Sequence, residues 1–239
     1  MSSDPQAGEQ RTCDGRDYRQ SWKIPSRPFV IAHRFGNTLP ALAQAANTGV
    51  TVVEADVWLH RGRVEVRHSK TAGPLPILWD RWSLEPGWAP RLELSTLLDH
   101  LPPQMTLMLD IKGRSPYLPH TIMRLIRSDD WDRPLLVCSQ NWTLLEAFRQ
   151  YPEAILVHSI GNRRQLIKAW QRLENDDHDM VSIHVRLLDR ETVRALKDRV
   201  SVVITWPIND GPTARKVLDW GVDGLTTDVP SRLLSGDAH

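Results

Sequence analysis

His33 and Arg34 close a short apolar run, Glu54 and Asp56 sit in the next, and His68 follows twelve residues after Asp56. Together these residue types suit phosphate-ester chemistry. Carboxylates hold a divalent cation, a guanidinium grips phosphoryl oxygens in a fork, and imidazoles titrate near neutrality and so move protons in either direction. Glu54 and Asp56 lie two apart in TVVEADVW (51–58), which reads as a strand, and side chains alternate along a strand, so both point to one side. Two carboxylates facing inward from a strand end are costly unless a cation or hydrogen bonds compensate them. A metal site is therefore the simplest reading of the pair. Lys112 closes a third such run, TLMLDIK (106–112).

These groups need strands that end together. FVIAHR (29–34) reads as a buried strand that delivers His33 and Arg34 at its C-terminal end, and the runs at 51–58 and 106–112 do the same for the other groups. Five more strand-like runs follow: Leu135 to Gln140, Ala154 to Ile160, Met180 to Leu187, Val200 to Ile208, and GLTTD at 224–228. Amphipathic stretches lie between the runs: 38–48 before Gly49, 94–101, 144–150, 163–173, 191–199, and 213–220 before Gly221. Eight β-like runs alternating with helices, without a composition break, predict an α/β chain folded as a single (β/α)₈ TIM barrel over 29–235, behind a polar leader of residues 1–28. No G-x-G-x-x-G follows the first strand, which argues against a dinucleotide-binding open sheet.

Active sites of such barrels sit where the strands end and the βα loops begin. His33, Arg34, Glu54, Asp56, Asp110, Lys112 and Trp206 all fall there. Ser139, Gln140, His158, His184 and Arg186 are further strand-end candidates for lining a pocket, Asp228 reads as a structural cap, and His60, His100, His120 and His178 read as surface residues.

Composition excludes several classes. Lys+Arg at 30 against Asp+Glu at 29 leaves no broad basic footprint for nucleic acid or an anionic membrane. No apolar stretch approaches the length of roughly 20 residues that spans a bilayer. The leader has no apolar core of a signal peptide, so the expected location is cytoplasmic. Cys13 and Cys138, the only cysteines, lack metal-ligand spacing and a disulfide pattern; Cys138 reads as a small buried hydrophobe. Ten tryptophans are many for 239 residues, and Trp79, Trp82 and Trp88 cluster in a Pro-rich connection after His68 too irregular for one helix, which either covers a pocket mouth or packs on the barrel exterior.

In order along the chain, IAHR at 31–34, NTL at 37–39, Gly49, VEADV at 53–57, LDIK at 109–112, TWPIN at 205–209 and GVDGLTTDVP at 221–230 resemble the signature of the glycerophosphodiester phosphodiesterase family: H-R-G, P-E-N-T-L, G-A-x-x-x-E-x-D-V, E-x-K, W-T-V-N and G-V-D-G-I-x-T-D-x-P. The resemblance implies a TIM barrel and a metal-dependent hydrolase. Glu54, Asp56 and Asp110 would be the ligands of Mg²⁺ or Ca²⁺, His33 and His68 the acid–base pair, and Arg34, Lys112 and Trp206 the substrate-binding side chains. The substrate would be a small or lysophospholipid-like phosphodiester. Three positions depart from the pattern: Phe35-Gly36 replaces the glycine and P-E segment, Asp110 stands where glutamate is usual, and Ser69 follows His68 where aspartate is usual. Asp110-Ile-Lys112 also resembles the D-I-K of sphingomyelinase D proteins, so a lyase-like reaction ending at a cyclic phosphate stays open, as does a barrel that binds phosphate ligands without turnover.

Overall fold

A computed structural model describes residues 25–71, 77–80, 83–128, 131, 133–173 and 176–235. Eight parallel strands form its centre: β1 (Phe29–Ala32), β2 (Val52–His60), β3 (Thr106–Ile111), β4 (Leu135–Ser139), β5 (Ala154–Ile160), β6 (Asp176–His184), β7 (Val200–Trp206) and β8 (Gly224–Thr227). Each pairs with the next, and β1 also pairs with β8 from Phe29↔Gly224 to Ala32↔Thr227, so the sheet closes on itself as the expected (β/α)₈ barrel. Eight helices alternate with the strands: α1 (Leu39–Ala46), α2 (Leu94–His100), α3 (Leu118–Ser128), α4 (Trp142–Glu146), α5 (Arg163–Arg172), α6 (Arg190–Lys197), α7 (Gly211–Asp219) and α8 (Pro230–Leu234). Thr38, Asn141, Asn162, Asp189 and Asp210 cap five of them, each accepting a hydrogen bond from a first-turn amide.

The strand period decides what fills the barrel. Reading every second residue upward gives an apolar lower layer and a polar upper one: Phe29 and Ile31 below His33, Val52 below Glu54 and Asp56, Met108 below Asp110 and Lys112, Val202 and Ile204 below Trp206. The lower set forms one buried cluster with Leu136, Cys138, Ile155, Val157 and Met180. Alternate residues face outward against the helices, where two larger clusters form. Gly224 is needed at the closure, because a Cβ there would lie 2.7 Å from the Phe29 ring that plugs the lower end.

Three features differ from the sequence reading. Helices α8 and α3 were not anticipated; in α3, Pro119 sits in the first turn, where a missing N–H costs nothing. Leu118, Ile122 and Ile126 on its inner face are fully buried. Each contributes about 1.5–3 kcal/mol. Strand β2 turns back through Arg61-Gly62 into an antiparallel strand, Arg63–Val66, that pairs with it from Val57↔Val66 to His60↔Arg63. The Pro-rich connection beyond His68 is a small antiparallel sheet of Lys70–Thr71, Ile77–Asp80 and Ser83–Pro86; Trp82, like Cys13 and nearly all of the leader, lies outside the described residues. No helix among the described residues is long and apolar enough to cross a membrane.

Candidate active site

The register of β2 on β3 sets Asp56 directly beside Asp110 and Glu54 beside Met108. Like charges in paired register repel unless something intervenes. Lys112 intervenes: its Nζ lies 2.8 Å from Asp56 Oδ1 and also ion-pairs with Asp110. Lys112 and, at 3.8 Å from Asp56 Oδ2, the Arg34 Nε are two cations against three carboxylates, and oxygens of Glu54, Asp56 and Asp110 lie within 4.8 Å of one another. Glu54 and Asp56 are 2% and 1% exposed. Burial, reinforced by the neighbouring acids, pushes the Glu54 carboxyl well above the usual range, and burial lifts Asp110 as well. Burial pushes Asp56 the same way, but Lys112 and an Asn37 hydrogen bond overcome it and hold Asp56 below its ordinary value. Burial opposes the charge on Lys112, yet the surrounding carboxylates win and raise its pKa. All-oxygen donors with surplus negative charge fit a hard divalent cation, Mg²⁺ or Ca²⁺.

Arg34 occupies a left-handed backbone conformation (φ 62°) and opens the one-turn helix Phe35–Asn37. Such a conformation is uncommon for a residue with a Cβ. Two contacts hold that turn against β2. The Arg34 amide donates to Glu54 Oε2 at 2.6 Å, and the Asn37 side chain makes a two-way pair with Asp56, Nδ2 donating to Oδ2 and Oδ1 accepting from the Asp56 amide, both at 2.8 Å. A Cβ on Gly36 would sit 2.7 Å from that of Ala55, so glycine permits this close approach. The Arg34 guanidinium donates from Nη2 to His68 Nε2 at 2.7 Å. Guanidinium has no acceptor, so His68 Nε2 is the accepting atom of this contact. Among the described residues, Arg34 Nε is a buried donor without a hydrogen-bond partner.

His68 returns to the height of Asp56 because the antiparallel strand brings the chain back. The Arg67 amide donates to the Asp56 carbonyl at 2.9 Å, and the Arg67 side chain, stacked 4.9 Å over Trp58, bonds Glu65 and the Ser69 carbonyl. His33 finds a partner that the sequence reading missed. Its Nδ1 lies 2.6 Å from Oδ1 of Asp228, which follows β8 and whose Oδ2 accepts from Asn209 at 2.9 Å. Asp228 is therefore a buttress of His33 as well as a turn residue; closure of β8 on β1 puts the two side by side, which linear spacing does not reveal. Burial lowers the His33 pKa and the Asp228 hydrogen bond partly offsets it, while Asn209 and His33 outweigh burial and lower that of Asp228.

These groups open into one cavity of about 400 Å³ at the C-terminal end of the barrel, lined by His33, Arg34, Glu54, His68, Asp110, Lys112 and Trp206 among others. The structure thus gathers the predicted site residues in one place, with Asp56 just beneath, bonded to Lys112 and Asn37. Of the five further strand-end candidates, Gln140 and His184 line the cavity, and His184 stands edge-on to Trp206 at 4.7 Å. Ser139, His158 and Arg186 do not: Ser139 bonds the Ile111 carbonyl, His158 faces Glu146 and Trp142, and Arg186 reaches the Gly161 carbonyl. Cys138 forms part of the cavity floor, with its thiol pKa raised by burial. His100 and His120 are exposed and His60 is partly buried; the side chain of His178 lies outside the described residues.

Several known structures share this architecture. A phosphodiesterase from Oleispira antarctica, solved in complex with the product sn-glycerol-3-phosphate, is 22% identical with a TM-score of 0.69, covering 89% of this chain and 98% of its own. Glycerophosphodiester phosphodiesterases from Parabacteroides distasonis (20% identity, TM-score 0.64, 88% and 98% covered) and Thermotoga maritima (16%, 0.65, 87% and 97%) have the same fold. No curated protein matches the sequence. The model of the glycerophosphoryl diester phosphodiesterase family matches residues 108–232, which hold Asp110, Lys112, Trp206 and Asp228, while β1 and β2 with His33, Glu54 and Asp56 lie before the match. That match spans just over half of the chain, which accordingly belongs to the glycerophosphoryl diester phosphodiesterase family of phosphoric diester hydrolases.

Proposed function

We propose that this chain hydrolyses a glycerophosphodiester to glycerol phosphate and an alcohol in a metal-dependent reaction with histidine acid–base catalysis. The observation that carries the reading is the convergence, at one barrel mouth, of three carboxylates within 4.8 Å and the His33–Arg34–His68 group. The glycerol phosphate held by the Oleispira enzyme agrees with it. Glu54, Asp56 and Asp110 would hold Mg²⁺ or Ca²⁺, which supplies positive charge for a phosphoryl oxygen.

The chain's own groups have three tasks. Arg34, whose buried Nε has no hydrogen-bond partner among the described residues, and Lys112 bind the phosphoryl oxygens and stabilise the charge that grows on them in the transition state. His33 and His68 divide the two proton transfers, one taking a proton from the attacking oxygen and the other giving one to the leaving alkoxide. Asp228 fixes the His33 ring through Nδ1, so that Nε2 is the working nitrogen, and it stabilises the imidazolium whenever it forms. Trp206 and His184 form a wall for the alcohol portion of the substrate.

The test is product analysis of a panel of glycerophosphodiesters and lysophospholipids with Mg²⁺, Ca²⁺ or EDTA. Release of glycerol phosphate, abolished by EDTA and reduced at least about 100-fold in His33→Ala and in His68→Ala, is the expected result. A cyclic phosphate product would replace hydrolysis with cyclisation, and near-wild-type turnover in either variant would remove that histidine from the chemistry.

A further inference from the structure

The loops that follow β2 and β3 at the mouth of the barrel carry Trp79, Leu84, Trp88 and Tyr117, four of the six large hydrophobic side chains exposed among the described residues. Three of them belong to the segment that begins just after His68. In its small sheet Lys70 pairs with Trp79, and Trp79 pairs with Leu84. Paired residues share a face, so Lys70, Trp79 and Leu84 form one row across the sheet. Leu78, on the opposite face, is buried at 4% exposure, so that side is packed and the row faces outward. Leu84 and the nearby Trp88 are each 76% exposed. Lys70 Nζ lies 5.6 Å from the centre of the Trp79 ring. That contact keeps a cation beside the apolar surface. The row starts two residues beyond His68, which lines the cavity.

We propose that this row is a docking surface for phospholipid aggregates and sets the cavity mouth against the lipid–water interface. The chemistry matches in two parts. Tryptophan and leucine gain by entering the acyl boundary, with the indole N–H still able to reach water, and a lysine at the edge of the row meets headgroup phosphates. A cavity built for a phosphodiester lies beside them, so a phosphate drawn from the interface has a short path while its apolar portion stays on the row. A water-soluble diester gains nothing from such a surface. The lipid substrate class rests on the phosphodiesterase reading above; the docking itself does not.

The experiment is co-sedimentation of the full chain with vesicles of phosphatidylcholine, alone and mixed with phosphatidylglycerol, comparing wild type with Leu84→Glu/Trp88→Ala. The wild type is expected to bind, more tightly to the mixed vesicles, and the double variant to lose on the order of tenfold or more in partitioning. Both proteins should hydrolyse glycerophosphocholine equally, since neither side chain belongs to the site, whereas hydrolysis of micellar lysophosphatidylcholine should fall about tenfold in the variant. Fluorescence quenching of the wild type by lipids brominated on the acyl chain gives a second reading that needs no variant. Failure of the wild type to bind either vesicle, equal binding by the variant, or a dimer that only the wild type forms would overturn the proposal. Binding without hydrolysis of any diester would keep the surface and overturn the proposed activity instead.

Discussion

Glu54 combines deep burial with a single hydrogen-bond donor among the described residues, the Arg34 amide, so replacing its carboxylate separates a metal-binding role from a structural one. Its folded-state pKa is raised by burial and by the nearby acids. The sign of the consequence follows from linkage. A group whose pKa rises on folding contributes stability that is fully present below the unfolded value, about 4.3 for glutamate, and lost as pH rises through the folded value. In EDTA the wild type should therefore lose stability as pH climbs from about 4 towards neutrality, and Glu54→Gln, which keeps an acceptor for Arg34 but cannot ionise, should be spared that loss. Metal reverses the ranking. A divalent cation at about 100 times its dissociation constant adds about 2.7 kcal/mol, or about 5–11 °C of Tm for a domain of this size, provided the ligand set is intact. Thermal unfolding from pH 4 to 8, with EDTA, Mg²⁺ or Ca²⁺, reads both effects. A Glu54→Gln protein that melts more than about 5 °C below wild type in EDTA at neutral pH, or that shows the full metal-induced rise, would refute the reasoning.

Asp228→Asn should lower kcat by about tenfold with little change in KM, a modest loss because Asp228 is half exposed and water screens the pair. The limb of the pH–rate profile that reports His33 should move to lower pH, since the raising hydrogen bond is gone. Gly36→Ala should cost about 1–3 kcal/mol in a denaturant titration and reduce activity, because the turn carrying Arg34 and Asn37 must back away from Ala55. The buried Asp223 carboxylate accepts from Lys197, from Arg27 at 2.8 Å and from the Val203 amide. Asp223→Ala should therefore cost about 1–3 kcal/mol in the same titration, chiefly through the buried Val203 amide it leaves unpaired, since Lys197 and Arg27 are exposed enough to be rehydrated. Its kcat, measured well below the melting temperature, should stay unchanged, because Asp223 enters β8 at the end away from the cavity.

Period-two alternation made the barrel and most of the candidate site legible. Each inward-facing set climbs from an apolar residue to a polar one, so Val52-x-Glu54-x-Asp56 and Met108-x-Asp110-x-Lys112 announce both a strand and what its end presents. Contacts that depend on which strands become neighbours were hidden. Nothing local says that Asp228 will meet His33 across the closing seam, or that Asn37 will clasp Asp56 on both its side chain and its amide. Helix α3 was obscured by a proline in its first turn, and the sheet after His68 by prolines and tryptophans that mask alternation in strands only two to four residues long.

The hairpin behind His68 also bears on how such a protein can diversify. The Arg67 amide is stitched to the Asp56 carbonyl before the small sheet begins, and after it Leu92 pairs with Val66, so both ends of the intervening segment are fastened to the same narrow frame. A loop anchored in this way can be lengthened, shortened or exchanged at little cost, since closure entropy grows only with the logarithm of its length. Insertions there leave the imidazole of His68 where it is. The segment is thus a natural graft point, at which recognition can be rewritten while the reacting groups are inherited unchanged.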